Sequence, residues 1–390
     1  MVGSFILSRL PVIHFGAGTA GKAAFLASEY GNSLLLVTGK SSFGKSEWGK
    51  GMHNELDEAG IKYDIISVSG EPSTSFIDRA VSIFRKSPPD ALLAVGGGSV
   101  IDAGKALSAM IPVDGKTWDY LEGNPDRQPH PGNRLPFIAM PTTAGTGSEA
   151  TKNAVLTVEG QPALKKSLRH DRFVPDVAIV DPELAAGCPA DVTAASGLDA
   201  VTQLLEAWVS TNASPVTDAL AYSGLDRAFK SIREAVNNGD DPAARSDMAY
   251  AALISGIVLA NAGLGAVHGF ASVLGGRYNV PHGVVCGTLL GSVTRTNIDL
   301  LRKSGERRYL EKYSRAGKLL CSSADKSDDY YISCLADELD RLITDFNIPR
   351  LGSYGIAAGH IDGLARETGI KNNPARLERE DLKNILMSRL

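Results

Sequence analysis

His268 and His282 stand fourteen positions apart in AGLGAVHGFASVLGGRYNVPHGVV, a stretch otherwise built mostly of small and apolar residues. Histidine is scarce in this chain, seven in 390 residues, so two in one Gly-rich segment ask for a chemical reason. Neutral imidazole is the commonest protein ligand for a divalent transition metal. Upstream, GLDAVTQLLEAWVS carries Asp199, Gln203 and Glu206 at i, i+4 and i+7, a spacing that puts all three on one helix face. One carboxylate and two imidazoles make an open metal site with room for a substrate oxygen. The competing reading, a packed or capping side chain, is the one kept for His14, His53, His130, His170 and His360, which lack such company.

A second set of residues suits phosphate. In ALLAVGGGSVIDAGKALSAM a buried strand runs into Gly96, Gly97, Gly98 and Ser99 and then into a helix. Consecutive glycines let backbone approach a ligand, and the helix aims its first N–H groups at it. Ser99 is the expected cap of that helix and a donor to phosphate oxygen. The loop PTTAGTGSE follows the next strand and offers Thr142, Thr143 and Thr146 beside glycines. A third loop, GAGTAG from Gly16 to Gly21, matches GxGxxG. That fingerprint expects an acidic residue about twenty positions on; the next strand ends instead at Gly39, so the GGGS loop carries more weight. With no carboxylate at Gly39, and with Lys40, Ser41 and Ser42 beside it, a 2′-phosphate is accommodated and NADP is expected, NAD being the alternative.

To hold these groups the chain needs two kinds of architecture. Short apolar runs at 12–15, 33–38, 63–68, 91–95, 136–140 and 177–181 alternate with amphipathic stretches. Such strands, buried on both faces and separated by helices, imply a parallel sheet with right-handed crossovers. AVLTVEGQPALKKSL reads as a hairpin excursion. From about residue 186 the period becomes helical in ADVTAASGLDAVTQLLEAWVS, TDALAYSGLDRAFKSIREAV and ARSDMAYAALISGIVLANAG. The expectation is an α/β dinucleotide-binding domain over 1–185 and an all-α metal and substrate domain over 186–390.

Composition sets outer bounds. Apolar content of 43%, charged content of 22% and a net charge of −4 are those of a globular enzyme without a footprint for nucleic acid. No run approaches the roughly 18 apolar residues of a spanning helix, and no leader with a basic start is visible. Cys188, Cys286, Cys321 and Cys334 are widely spaced without a CxxC pair, which reads as reduced thiols in a cytoplasmic protein.

With GGGSVIDAGKA, PTTAGTGSEAT, GLDAVTQLLEAW and VHGFASVLGGRYNVPHG in order, the chain resembles the iron-containing (group III) alcohol dehydrogenase family, from about residue 10 to 300. The resemblance implies a dehydroquinate synthase-like fold with the active site between its two domains, a homodimer or larger homo-oligomer, and NAD(P)-dependent hydride exchange with a small alcohol or aldehyde. By position it implies pyrophosphate contacts at Gly97, Gly98 and Ser99. Further cofactor contacts follow at Gly39, Ser41, Asp102, Thr142, Thr143 and Thr146, with Lys166 reaching the ribose. Asp199, His268 and His282 match metal ligands for Fe²⁺ or Zn²⁺ and are the expected catalytic centre, with Glu206 supporting them. The family's fourth ligand, a histidine, is replaced by Gln203, which is expected at the metal as a weaker, neutral amide ligand, and a second family histidine is replaced by Ser272. Two other readings stay open: a metal-independent reductase of the same fold, and a dehydroquinate synthase-like lyase whose anionic substrate would need Lys165, Lys166, Arg169 and Arg172.

Overall fold

The structure, a computed structural model, describes residues 2–40, 43–160, 164–321 and 323–390. These fall into two compact units. The α/β unit runs from Ser8 to Thr143 and from Gly147 to Ala186. The helical unit is Gly187–Leu390 with the stretch ending at Leu7 and with Ala144–Thr146.

In the α/β unit the six apolar runs form six strands: β1 (Val12–Phe15), β2 (Ser33–Gly39), β3 (Lys62–Val68), β4 (Ala91–Gly96), β5 (Phe137–Pro141) and β8 (Val177–Val180). All pair in parallel, in the order β1-β8-β5-β4-β2-β3. Side-chain alternation gives each face its own core. Leu35, Val37, Leu92, Ala94, Phe137 and Ala139 pack toward α3 (Thr74–Phe84) and α4 (Gly98–Met110). Leu34, Leu36, Leu93, Val95, Ile138 and Met140 pack toward α1 (Ala23–Ser28) and α2 (Glu47–Glu58). A fully buried Leu contributes roughly 2 kcal/mol, so a one-residue slip of any strand would forfeit several such terms at once. The expected hairpin is present as β6 (Asn153–Val158) and β7 (Leu164–Arg169), antiparallel.

The strand order also fixes where a ligand belongs. From β2 the chain moves outward to β3, then returns to β4 on the other side and continues to β5. The order therefore reverses between β2 and β4, and the crevice beyond their carboxyl ends is the natural ligand position of an open α/β sheet. Gly39 and the GGGS loop end those two strands.

The helical unit contains α5 (Ala190–Trp208), α6 (Pro215–Asn237), α7 (Pro242–Ala262), α8 (Ala266–Tyr278), α9 (His282–Ser304), α10 (Arg307–Leu320), α11 (Asp328–Asp345), α12 (Ile361–Glu367) and α13 (Arg379–Ser388). Caps mark the boundaries: Ser214 and Thr217 close a capping box on α6, and the Asp241 side chain accepts from the Ala244 amide ahead of α7. Among the described residues α7 alone is long and apolar enough to cross a membrane, and most of it is buried inside the protein.

The cysteines depart from expectation. Cys321 and Cys334 form a disulfide, their Cα atoms 6.4 Å apart, while Cys188 and Cys286 are free thiols. Cys321 ends α10 and Cys334 lies in the second turn of α11. The turn between two neighbouring helices brings the pair together, a proximity that a 13-residue separation does not reveal.

Candidate metal and cofactor site

Close helix packing assembles the donors in the helical unit. A Cβ on Gly283 would fall 2.4 Å from the Ala195 carbonyl oxygen, and one on Gly287 2.9 Å from Leu198 Cδ1. Glycine at both positions lets the start of α9 lie directly on α5. His282, the first residue of α9, thereby comes within 3.6 Å of Asp199 Oδ1 through its Nε2. His268, in the first turn of α8, approaches the same oxygen from the other side, Nε2 to Oδ1 3.4 Å. The two imidazole rings stand 5.3 Å apart, centre to centre.

Glu206 organises this arrangement. Its Oε2 accepts from His268 Nδ1 at 2.7 Å and its Oε1 from the Val267 amide at 2.7 Å. One carboxylate thus caps the start of α8 and holds the His268 Nδ1 proton, so that Nε2 is the nitrogen turned toward Asp199. Asp199 is 2% exposed, and its Oδ1 has no hydrogen-bond partner. Burial opposes ionisation of Asp199, but His282 and His268 outweigh it and hold the carboxyl down at about 2. Burial also works against a charged His268, yet Glu206 and Asp199 keep its pKa above the usual imidazole value.

A cavity of roughly 440 Å³ opens onto Asp199 and His282. Val192, Ala195, Pro281, Val284, Phe346, Ile348 and Pro349 give it apolar walls, with Thr146, Ser196, Asn347 and Tyr354 as polar points. Thr146 therefore belongs with this cavity in the helical unit, whereas Thr142 and Thr143 stay with the α/β unit. A fourth donor was missed by the sequence reading. Cys286, one turn beyond His282 on α9, is fully buried, with Sγ 3.6 Å from His268 Nε2. The available signal was HxxxC at helical spacing. Gln203 is buried and its Oε1 accepts from Ser255 Oγ at 2.8 Å. Ser272 is exposed, its hydroxyl turned back on the His268 carbonyl.

In the α/β unit, Gly97 is the N-cap of α4 and no side chain caps the helix, so Ser99 does not play the capping role expected of it. Glycine at position 97 leaves the start of α4 without a capping hydroxyl; the Val100 and Ile101 amides donate to the Gly97 carbonyl, and the backbone just ahead of them is where a helix start binds an anion. A Cβ on Gly97 would sit 3.4 Å from Thr143 Oγ1, so its absence keeps the space between the two loops open. The Thr142 amide donates to the Gly96 carbonyl, aligning the loop after β5 beside the one after β4. Asp102 lies one turn further along α4, where its oxygens accept from Ser148 Oγ and the Val155 amide. Lys105, fully buried, donates from Nζ to the Ser148 and Asn153 carbonyls and to Thr151 Oγ1, anchoring the same segment. Lys166 lies on β7 beside Gly123. Gly39 ends β2, and Ser41 lies outside the described residues. The GxGxxG loop is closed by the protein itself: Asp181 Oδ2 accepts from the Ala20 amide at 2.9 Å.

Residues 11–182 match the profile described as iron-containing alcohol dehydrogenase, and residues 193–390 the C-terminal region of the same family. The chain belongs to the iron-containing alcohol dehydrogenase family. It is 33% identical to long-chain-alcohol dehydrogenase 1 of Geobacillus thermodenitrificans over 92% of this chain and 88% of that protein. A crystal structure of 1,3-propanediol oxidoreductase superposes with a TM-score of 0.90 at 31% identity over 100% of both chains. Sulfoacetaldehyde reductase from Bifidobacterium kashiwanohense, solved in complex with NAD+, superposes at 0.85 with 26% identity over 100% of this chain and 99% of that one. As a member of this family the chain is an NAD(P)-dependent alcohol and aldehyde oxidoreductase. Two of the four charges that a lyase of the same fold would need are paired: Lys165 with Glu71 at 2.5 Å and Arg169 with Glu122 at 3.5 Å.

Proposed function

We propose that this dehydrogenase interconverts short aldehydes and their alcohols with NADP(H), at a divalent-metal site that includes Asp199, His268 and His282. The observation that carries the reading is Asp199 Oδ1: buried, without a hydrogen bond, and faced at 3.4 and 3.6 Å by two imidazole nitrogens on the wall of a cavity. A buried polar atom left unsatisfied costs about 1–3 kcal/mol, more for a charged one, and a cation at this point removes that cost. The donor set of one carboxylate and two imidazoles suits such an ion.

When bound, the metal supplies Lewis-acid polarisation of a carbonyl and the nicotinamide supplies or accepts hydride. The chain's own residues do the rest. Asp199 offsets cationic charge, Glu206 holds His268 in the donor tautomer, and His282 is half-exposed toward the cavity. Val192, Val284, Phe346 and Ile348 exclude water and favour a short alkyl chain. Ser272 points back at its own helix, so water or the cofactor's ribose hydroxyls deliver the proton in the reducing direction. On the cofactor side, Gly97, Gly98 and Ser99 hold the pyrophosphate at the start of α4, with Thr142 and Thr143 opposite. Gly39 leaves the end of β2 without a carboxylate that would repel a 2′-phosphate, which supports NADP over NAD.

NADPH oxidation with a panel of short aldehydes, compared in wild-type and Asp199→Asn protein, tests the reading. Turnover by the wild type and a loss of about three orders of magnitude in the variant are expected, in the range for an electrostatic group at a reacting centre. Equal turnover in both proteins would refute the assignment of Asp199. Replacing Gly39 by Asp should lower kcat/KM for NADPH at least ~10-fold relative to NADH, about 1.4 kcal/mol. An unchanged ratio would remove the basis for the NADP preference.

A further inference from the structure

Among the described residues four donors gather at the metal site, three of them buried and His282 half-exposed, and the fourth is sulfur. Asp199, His268, His282 and Cys286 each offer one ligand atom, all within 4.8 Å of one another. Their separations can be compared with a real coordination shell. For a tetrahedral ion with metal–sulfur and metal–nitrogen bonds of about 2.3 and 2.05 Å, ligand atoms lie about 3.5 Å apart for S···N and about 3.3 Å for N···O. Cys286 Sγ to His268 Nε2 is 3.6 Å, and Asp199 Oδ1 to the two imidazole nitrogens is 3.4 and 3.6 Å. The orphaned Asp199 Oδ1 is an independent sign that this centre is built for a cation. Gln203, at the position where a further imidazole is expected, instead accepts from Ser255 Oγ.

We propose that Cys286, as thiolate, completes the metal site with Asp199, His268 and His282 in place of Gln203, and that the site therefore takes zinc in preference to ferrous iron. This rests on the metal-assisted reading above. Thiolate is a soft ligand that selects zinc, whereas an amide oxygen is neutral and weak toward such ions. Cys286 and His282 share α9 at i, i+4, so one helix face delivers an imidazole and a thiolate to the same point. Binding releases the thiol proton to solvent, since only the deprotonated sulfur ligates.

Cobalt(II) reconstitution of the chelator-stripped full-length protein tests the assignment by a spectroscopic signature independent of turnover. The wild type should bind one cobalt per chain and show a thiolate-to-cobalt charge-transfer band in the near ultraviolet. Cys286→Ser and Cys286→Ala should lose that band, and in chelator competition should lose at least ~10-fold of their zinc affinity with a smaller loss for iron(II). Gln203→Ala should keep the band. Melting curves followed by circular dichroism confirm that each variant is folded. Cobalt bound without a charge-transfer band in the wild type, or a spectrum sensitive to Gln203→Ala but not to Cys286→Ser, would overturn the thiolate assignment and leave metal-assisted chemistry standing. Absence of any cobalt or zinc binding by folded wild-type protein would overturn both.

Discussion

The Glu206 carboxylate reaches His268 Nδ1 with one oxygen and the Val267 amide with the other, so one side chain sets both the tautomer of a ligand and the start of the helix that carries it. Partners of this kind typically contribute 10- to 100-fold to metal affinity, order of magnitude. Glu206→Gln should therefore weaken zinc binding by roughly that factor in a chelator competition, and an unchanged affinity would show that packing alone orients the ring. That Asp199, His268 and His282 gather at one point was legible in the sequence because histidine is scarce and the spacing fits helices. Cys286 was not, because a buried cysteine usually reads as a small core residue. Ser99 was misread as a cap because it stands two positions past the N-cap, Gly97; the helix already starts at Gly98. His130 was read correctly as structural. It packs against Tyr120 and Phe173, its Nδ1 accepts from the Gly132 amide, and burial pushes it down to about 4.

At the scale of elements, the placement of α4 decides whether the GGGS loop can hold phosphate. A Cβ on Gly104 would fall 2.7 Å from Ala94 Cβ and 2.8 Å from the Phe137 ring, so helix and sheet meet at this glycine. Gly104→Ala should cost about 1–3 kcal/mol by overpacking, read in a denaturant midpoint, and should raise the Kd for NADP as the helix start shifts. Unchanged values of both would mean the helix tolerates displacement. The six parallel strands were readable nearly to the residue, since β-branched and leucine runs bounded by Gly, Pro or Asp have few other uses. Their order was not: β4, β5 and β8 are buried along their whole length and the edge strands β1 and β3 are largely exposed, but the apolar runs alone do not say which strands are neighbours. The long helices from Ala190 to Ala262 were equally clear, while the link between α10 and α11 through Cys321 and Cys334 needed three dimensions.

For the whole molecule, stability should depend on pH through Glu149, a fully buried carboxyl whose pKa burial raises from 4.5 to about 7. Between these values the native state keeps a proton that the unfolded chain has lost. The favourable contribution is therefore complete below about 4.5 and disappears as pH rises through about 7, a change on the order of 3 kcal/mol. Glu149→Gln should flatten that slope in urea midpoints across the same window, and an identical slope would place the titration elsewhere. Chemistry at the scale of the whole enzyme turns on one claim, that hydride exchange at Asp199, His268 and His282 is assisted by a metal. The most direct measurement is NADPH oxidation by a short aldehyde with chelator-stripped protein, before and after anaerobic addition of Zn²⁺ or Fe²⁺. Loss of activity on stripping and its return with metal is the predicted result. An undiminished rate in fully stripped protein would contradict the account and leave the two histidines as orienting or acid groups in a metal-independent reductase.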